Sequence, residues 1–481
     1  MTWIKKLQIQ HVALFALLIL FIVGHAKPIA DPDVWWHLKT GLDIIDTGQV
    51  PREDRYTFSN MGHEWIAHEW LAEVIYAFLY KAGGYHGLVV INIIVLGLIS
   101  TMAFHVCYRR TKGNLTWSVI AVLFIAVILS NFWTFRPHMF GYLFFTAYLF
   151  ILYQYENGQD YLIFLPLLML LWVNSHGSYI MGIILMGFHL VAHLVDFHLG
   201  RYRGKKWPAG KRKKFLLALG TVVLATLLNP NTYHIWLYPF TTVDAEMIVE
   251  NIEEWMAPNF HHIRFQVFAL LLAGVIFSLL LSPKKISVND GVYLLAFTAL
   301  TMFGGRNMAL FALACFPIGV EHASEIWPFG GLKTVNFAAV NWVLVAVLLV
   351  VGILNWPVFA SIEDYGDPQE YPVGAVEFII QHQLKGRIFN DYNWAGYILW
   401  KCFPENRPFI DGRTDIFVDR VLPDYVKIIE ARQGAYEILM QYDPDYILVP
   451  PDVPLNTLLK DKKDWRLIYH DPVANLFAQG R

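Results

Sequence analysis

The chain has 481 residues, 56% of them hydrophobic and only 16% charged, with a formal net charge of -2 and a mean hydropathy of +0.42. A soluble multidomain chain and a basic nucleic-acid binder are both excluded by that balance, which is the composition of a chain crossing a membrane several times. The three cysteines, Cys107, Cys315 and Cys402, are too scattered for a disulfide framework or a metal-ligand spacing.

Lys5 and Lys6 precede an apolar run from Val12 to Val23. Gly24-His25-Ala26 after it offers a small-x-small cleavage sequence. Lys27-Pro28 is a poor mature start, so the run is read as a first span; the downstream topology is the same either way. Further apolar segments fall at Leu88–Tyr108, Leu115–Phe132, Met139–Tyr153, Leu162–Val173, Ile180–Phe197, Phe215–Leu228, Phe265–Leu281, Val292–Phe303, Met308–Val320 and Phe337–Trp356. With the first they make about eleven. Several are shorter than the ~20 residues of a full span, which predicts tilted or broken helices.

Basic residues set the orientation. Lys5/Lys6, Arg109/Arg110/Lys112, the run from Arg201 to Lys214, and Lys284/Lys285 mark cytoplasmic sides, and alternating spans satisfy all four. The N-terminus is then cytoplasmic and the tail after Trp356 extracytoplasmic. The opposite, outer side receives Asp31-Pro32-Asp33, His63-Glu64-Trp65, His68-Glu69-Trp70, Arg136-Pro137-His138, Asn174-Ser175-His176-Gly177-Ser178, Asn229-Pro230-Asn231 and Gly304-Gly305-Arg306-Asn307. One-sided enrichment of ionisable groups points to a site at the outer surface.

Between Glu69 and Lys81, Trp70, Leu71, Val74, Ile75, Phe78 and Leu79 recur at helical spacing, which predicts an amphipathic helix in the membrane interface. Asp244–His262 is read as a second surface helix. After Trp356 charged residues and prolines increase. Gly386–Asp391 reads as a strand, Trp394–Lys401 as a helix, Arg407–Arg413 as a strand and turn, Tyr446–Val449 as a strand, and Trp465–Tyr469 with Ala474–Ala478 as a hairpin about Asp471-Pro472. The expected division is a transmembrane domain over residues 1–356 and an extracytoplasmic α/β domain over residues 357–481.

Asp31 and Asp33 form an Asp-x-Asp pair. Such carboxylates can ligate a divalent cation or act as a general base. They can also simply start a helix, with Asp31 as cap, Pro32 in the first turn and Asp33 beside the dipole. His63-Glu64-x-x-x-His68 has one residue too many for the i, i+4 spacing of a zinc-protease helix; Glu64 and Glu69 remain candidate bases or ligands. Arg136 and Arg306 sit at segment ends beside proline or glycines, where arginine suits a phosphate oxyanion or snorkels to headgroups. His138 and His176 are candidates to orient that phosphate. Asp391 and Asp411 read as turn residues.

One span, an acidic outer loop, an interfacial helix, many further spans and an outer tail resemble the GT-C class of integral-membrane glycosyltransferases. Within it the chain resembles the protein O-mannosyltransferase and lipid A aminoarabinose transferase group. It is most similar to bacterial membrane proteins of the class with an Asp-x-Asp-x-Trp-Trp-His-Leu-x-Thr-Gly opening, here Asp31 to Gly41, and a Phe-Ile-Asp-Gly-Arg-like tail motif, here Phe409 to Arg413. The resemblance implies a GT-C-like polytopic helical fold. It implies a polyprenyl-phosphate-linked sugar donor, and a lipid, glycan or protein acceptor at the outer face of a bacterial inner membrane. It assigns catalysis to the first-loop acid, Asp33 or Asp31. A divalent cation stays open, since members work with or without one. Trp35-Trp36 is followed by His37 rather than by the aspartate of the oligosaccharyltransferase Trp-Trp-Asp motif, which counts against protein N-glycosylation. The rival reading is a non-catalytic relative that binds or transports a lipid-linked glycan. A transporter needs polar groups near mid-membrane, whereas these gather on one side.

The orientation is testable by fusion. A reporter after Gly210 is expected to behave as cytoplasmic and one after Arg481 as exported; both on one side would refute the alternating scheme.

Overall fold

The computed structural model describes residues 9–24, 31–238, 255–328, 338–357, 362 and 368–480. Lys5, Lys6, His25-Ala26 and residues 244–254 of the expected second surface helix lie outside them. Trp255–His262, the described part of that helix, is irregular, with helix beginning only at Ile263.

Each of the eleven apolar segments contains a helix. The series runs Ile9–Gly24, Trp70–Arg110, Leu115–Leu129, His138–Glu156, Leu165–Val173, Ile180–Ala192, Ala209–Ala225, Ile263–Leu281, Val288–Phe303, Met308–Ile326 and Ala338–Leu354. Among the described residues four helical stretches, Trp70–Arg110, Leu115–Phe132, Ile263–Leu281 and Gly305–Ile326, are long and apolar enough to cross a membrane, and five others are apolar but shorter. The chain is a membrane protein on that evidence.

The chain divides into two compact units. The first holds Met1–Lys27, Leu88–Tyr233 and Ile252–Val358. Its centre is the helix Met308–Ile326, buried on all sides from Met308 to Val320 and packed by Ile263–Leu281, Val288–Phe303 and Leu115–Leu129. Leu270, Leu280, Leu295 and Ile353 stay exposed, as lipid-facing side chains do. Three of the basic clusters meet in this unit. Arg110 and Lys284 both pair with Glu321, at 2.6 and 2.7 Å. Arg201 donates to the carbonyls of Leu279 and Lys284. The basic run itself forms a small hairpin absent from the sequence reading: β1 (Phe197–Leu199) is antiparallel to β2 (Tyr202–Gly204), which is parallel to β3 (Ile286–Ser287).

The second unit is wider than the tail alone. Pro28–Gly87 and His234–Asn251 join Phe359–Arg481 in it, so the first outer loop lies in the same unit as the tail. Its sheet has the order β5-β4-β6-β8-β7. The strands are β4 (Gly386–Asn390), β5 (Asn406–Pro408), β6 (Tyr446–Val449), β7 (Trp465–His470) and β8 (Asn475–Gln479). β4 is parallel to both β5 and β6, while β8 is antiparallel to β6 and β7. The expected β7–β8 hairpin is present, its turn fixed by Asp471, whose Oδ1 accepts from the amides of Val473 and Ala474. Helices Val421–Ile429, Ala435–Tyr442 and Pro454–Lys460 complete the layer. Phe389, Phe409, Ile428, Leu439 and Ile447 form its core, with Phe58 of the first loop packed against it.

Asp33–Thr47 is a helix whose buried face carries Val34, Trp35, Trp36, His37, Leu38, Gly41 and Ile44. Trp35 makes edge-to-face contacts with Tyr371 and Tyr397, at 5.6 and 5.2 Å between centroids. The helix beginning at Trp70 breaks from helical geometry at Gly84 (φ 57, ψ -145), which separates its first arm from the long apolar arm. On that first arm the inward residues are Ala72, Glu73, Tyr76 and Ala77, whereas Phe78 is exposed. The sequence's apolar stripe is half-buried at Trp70, Leu71, Val74, Ile75 and Leu79 and exposed only at Phe78.

A Cβ on Gly41 would lie 2.1 Å from the Glu73 carbonyl oxygen and 2.8 Å from the Ala77 Cβ. Alanine gains about 1 kcal/mol of helix propensity over glycine, but an overlap with backbone costs up to about 3 kcal/mol. Gly41→Ala is expected to lower stability by about 2 kcal/mol net, read as a lower Tm in detergent; an unchanged or higher Tm would contradict this packing.

Candidate functional site

The helix Asp33–Thr47 begins where a carboxylate collects its first amide. Asp31 Oδ1 accepts from the Asp33 amide at 3.0 Å, the cap role read for Asp31. Asp33 is left for other work. Its Oδ1 accepts from the Trp36 indole Nε1–H at 2.9 Å, one helical turn on. The backbone of Gly412 closes over it: a Cβ there would stand 1.9 Å from Asp33 Oδ1 and 2.7 Å from Trp36 Nε1. A glycine is required for the Phe409–Arg413 motif to approach the acid this closely.

That motif is anchored from below by a buried ion triad. Arg413 donates to Asp411 Oδ2 through Nη2 at 2.6 Å and to Oδ1 through Nε at 2.9 Å. The same Nη2 reaches Asp54 Oδ1 at 2.8 Å, and all three side chains are buried. The guanidinium lies 4.5 Å from the centroid of Trp65 and 5.0 Å from that of Tyr56, stacking as arginine does on aromatic faces. Burial acts to raise the Asp54 carboxyl, but Arg413, with bonds from Thr57 and Tyr56, outweighs it and holds Asp54 below its usual range. Further links bind the first loop to the tail. The Phe58 amide donates to the Pro408 carbonyl at 3.1 Å, Asn60 Nδ2 to the Ile416 carbonyl at 3.0 Å, and Arg420 to the Ser59 carbonyl at 3.0 Å. Asp411 does cap its own turn, accepting from the Arg413 amide, and Asp391 likewise accepts from Asn393.

A second group lies on the same helix. His37 is one turn beyond Asp33, its ring against Trp36 at 3.6 Å between centroids. Its Nδ1 is 2.9 Å from Glu73 Oε1, and its Nε2 is 3.7 Å from Glu69 Oε2. The other Glu69 oxygen, Oε1, is 3.6 Å from His68 Nε2. His68 Nδ1 donates to the Ile66 carbonyl at 3.1 Å. Burial alone would lower the His68 pKa, but Glu69 reverses this and raises it. Asp415, which interacts with His68, is pushed up to about 6 by burial.

The structure places the other sequence candidates as follows. Glu64 is exposed and pairs with Glu53 through a β-bridge. Arg136, His138, His176 and Arg306 belong to the first unit. His138 Nε2 donates to the Phe132 carbonyl at 2.9 Å, and its ring lies 6.5 Å from that of His176. His176 Nδ1 accepts from the Ser178 amide at 3.1 Å, which leaves the ring proton of the neutral imidazole on Nε2. Arg306 takes a different partner, its guanidinium 3.9 Å from the Trp255 ring centroid. The structure thus brings His138 and His176 together, and Asp31 and Asp33 together.

Comparison with solved structures puts this architecture in context. An Archaeoglobus fulgidus oligosaccharyltransferase tethered to an acceptor peptide with the NVT sequon matches with a TM-score of 0.59 at 13% identity, over 93% of this chain and 70% of that one. The archaeal oligosaccharyltransferase AglB from Archaeoglobus fulgidus, in complex with an inhibitory peptide and a dolichol-phosphate, matches at 0.59 and 12%, over 92% and 69%. ArnT from Cupriavidus metallidurans bound to undecaprenyl phosphate matches at 0.54 and 12%, over 97% of each chain. The fold is GT-C-like. No family model matches the sequence, and no curated protein does.

His37, Glu73, Asp54 and Arg413 carry this region; Glu73 and Asp54 were not singled out from the sequence, and His37 and Arg413 entered only as members of the Asp31–Gly41 and Phe409–Arg413 motifs. Glu69 and Glu73 have i, i+4 spacing and so share a helix face, a signal hidden inside the apolar stripe. Replacing Arg413 by Met leaves two buried carboxylates without their counter-charge, a loss of about 3–5 kcal/mol that a melt of the full chain would show. Because the Asp54 pKa is depressed in the fold, its stabilisation is present above the unfolded value of about 3.9 and is lost as pH falls through the lower folded value. Wild type is expected to lose Tm across that acid range and Arg413→Met to lose less; parallel pH profiles would contradict the pairing.

Proposed function

We propose that the chain is a glycosyltransferase moving a sugar from a polyprenyl-phosphate-linked donor to an acceptor at the outer face of the membrane. The observation that carries this is Asp33: a carboxylate spared from capping by Asp31 and oriented by Trp36, in a fold shared with structures that hold dolichol-phosphate or undecaprenyl phosphate. The same likeness supports the reading of a bacterial inner-membrane protein with its N-terminus cytoplasmic and its tail outside.

The reaction in this reading is a single displacement. Asp33 accepts the proton of an acceptor hydroxyl as that oxygen attacks the anomeric carbon. The bond to the polyprenyl phosphate breaks, and charge grows on the departing phosphate. Arg136 and Arg306 are assigned to that charge, and His138 and His176 to orienting phosphate or acceptor. With its proton on Nε2, His176 would donate to a phosphate oxygen. Asp31 serves the helix start; Glu64 and Glu69 are the alternative bases.

Asp33→Asn keeps an oxygen to accept from Trp36 and removes the charge and the proton acceptor. Transfer from a radiolabelled polyprenyl-phosphate sugar is expected to fall roughly 10²- to 10⁴-fold with the detergent melt unchanged, while Asp31→Asn stays near wild type. Full transfer by Asp33→Asn would remove Asp33 as the base. A folded wild-type chain that turns over no polyprenyl-phosphate sugar would favour the non-catalytic binder.

A further inference from the structure

The group around His37 lies outside the displacement assigned to Asp33, although one member, Glu69, is an alternative base there. One donor atom each from His37, Glu69 and Glu73 lies within 4.8 Å of the others. His37 is 2% exposed and Glu73 is 1% exposed. Glu73 Oε1 meets His37 Nδ1, but Glu73 Oε2 is buried with no hydrogen-bond partner. A buried carboxylate oxygen left so is costly. Both histidines present Nε2 to Glu69, at 3.7 and 3.6 Å. Each ring meanwhile has Nδ1 occupied by an oxygen, from Glu73 or from the Ile66 carbonyl. His68 is thus held by a backbone carbonyl with Nε2 toward a carboxylate, whereas His37 has a carboxylate at each ring nitrogen, Glu73 at Nδ1 and Glu69 at Nε2.

We propose that His37, Glu69 and Glu73 form a divalent transition-metal site, with Zn²⁺ as its preferred occupant. One imidazole nitrogen and two carboxylates suit zinc. Magnesium and calcium prefer all-oxygen sets. Bonds of about 2.0–2.2 Å place zinc ligands about 3.3 Å apart, so the three donors need only a small contraction by side-chain rotation. The ion neutralises two carboxylates that face each other beside one imidazole and engages the stranded Glu73 oxygen. It also staples the helix Asp33–Thr47 to the helix beginning at Trp70, one turn from Asp33. The site is separate from the Asp31–Asp33 pair.

The test uses the full chain, purified in detergent and stripped with a chelator. Zn²⁺ titrated by calorimetry is expected to bind at about one ion per chain and to raise Tm, while Mg²⁺ does neither. His37→Gln and Glu73→Gln are expected to weaken binding by more than about 100-fold. Should those buried variants melt without cooperativity in the absence of metal, Glu69→Gln, the most accessible of the three, is expected to show the same loss. Stripped wild type that binds Zn²⁺ no better than Glu69→Gln would overturn the site, as would unchanged affinity in all three variants. Metal content and melting are read without any sugar donor. A chain that binds zinc but transfers nothing contradicts only the transferase reading, and one that transfers without zinc binding contradicts only this site.

Discussion

Arg413 is buried with a carboxylate on either side, Asp411 two residues back and Asp54 far away in the first outer loop, 359 residues from it in sequence. Three charges leave water together, and removing any one strands the others, so the arrangement forms as a set or not at all. Trp65 and Tyr56 stack on the guanidinium and exclude solvent from it. The first loop and the tail cannot therefore fold independently to their observed state. Asp54 belongs to one and Asp411 with Arg413 to the other, and Pro28–Gly87 and Phe359–Arg481 lie in one compact unit.

The consequence reaches the helix Asp33–Thr47. Arg413 fixes the turn that begins at Asp411, and the turn lays Gly412 against Asp33 and Trp36. Asp33 keeps an orientation set by the Trp36 indole on one side and by tail backbone on the other. One turn further, His37 faces Glu69 and Glu73 across to the neighbouring helix, which approaches closely enough that Gly41 has no room for a side chain. A single helix thus carries the proposed base and the proposed metal donor, and both are positioned by groups remote in sequence.

Much of the fold was legible because it rests on local signals. The apolar segments marked from hydropathy each contain a helix, though Ile180–Phe197 leaves it at Ala192 and runs into β1, and the strands at Gly386, Tyr446 and the Asp471-Pro472 hairpin follow from alternation and turn residues. Asp31 as the cap was also readable, since capping is settled within a few residues. The boundary near residue 357 marks a real change of composition, but composition carries no record that Asp54 pairs with Arg413. Buried ion pairs between distant segments leave no periodicity. His37 sat in an apolar-looking Trp-Trp-His-Leu run, and Glu73 interrupts a stripe that otherwise reads as membrane-facing. Their meaning appears only when two helix faces are brought together. The small β1–β2–β3 sheet was missed because its strands are two or three residues long and basic.

The central claim is that the first outer loop and the tail form one cooperative unit locked by Arg413. Hydrogen–deuterium exchange of the full-length wild-type and Arg413→Met chains, followed by mass spectrometry, tests it most directly. The account predicts that amides in residues 31–47, 52–65 and 386–413 lose protection together in the variant, while the helix Met308–Ile326 keeps its own. Loss confined to the tail, with residues 31–47 as protected as in wild type, would contradict it.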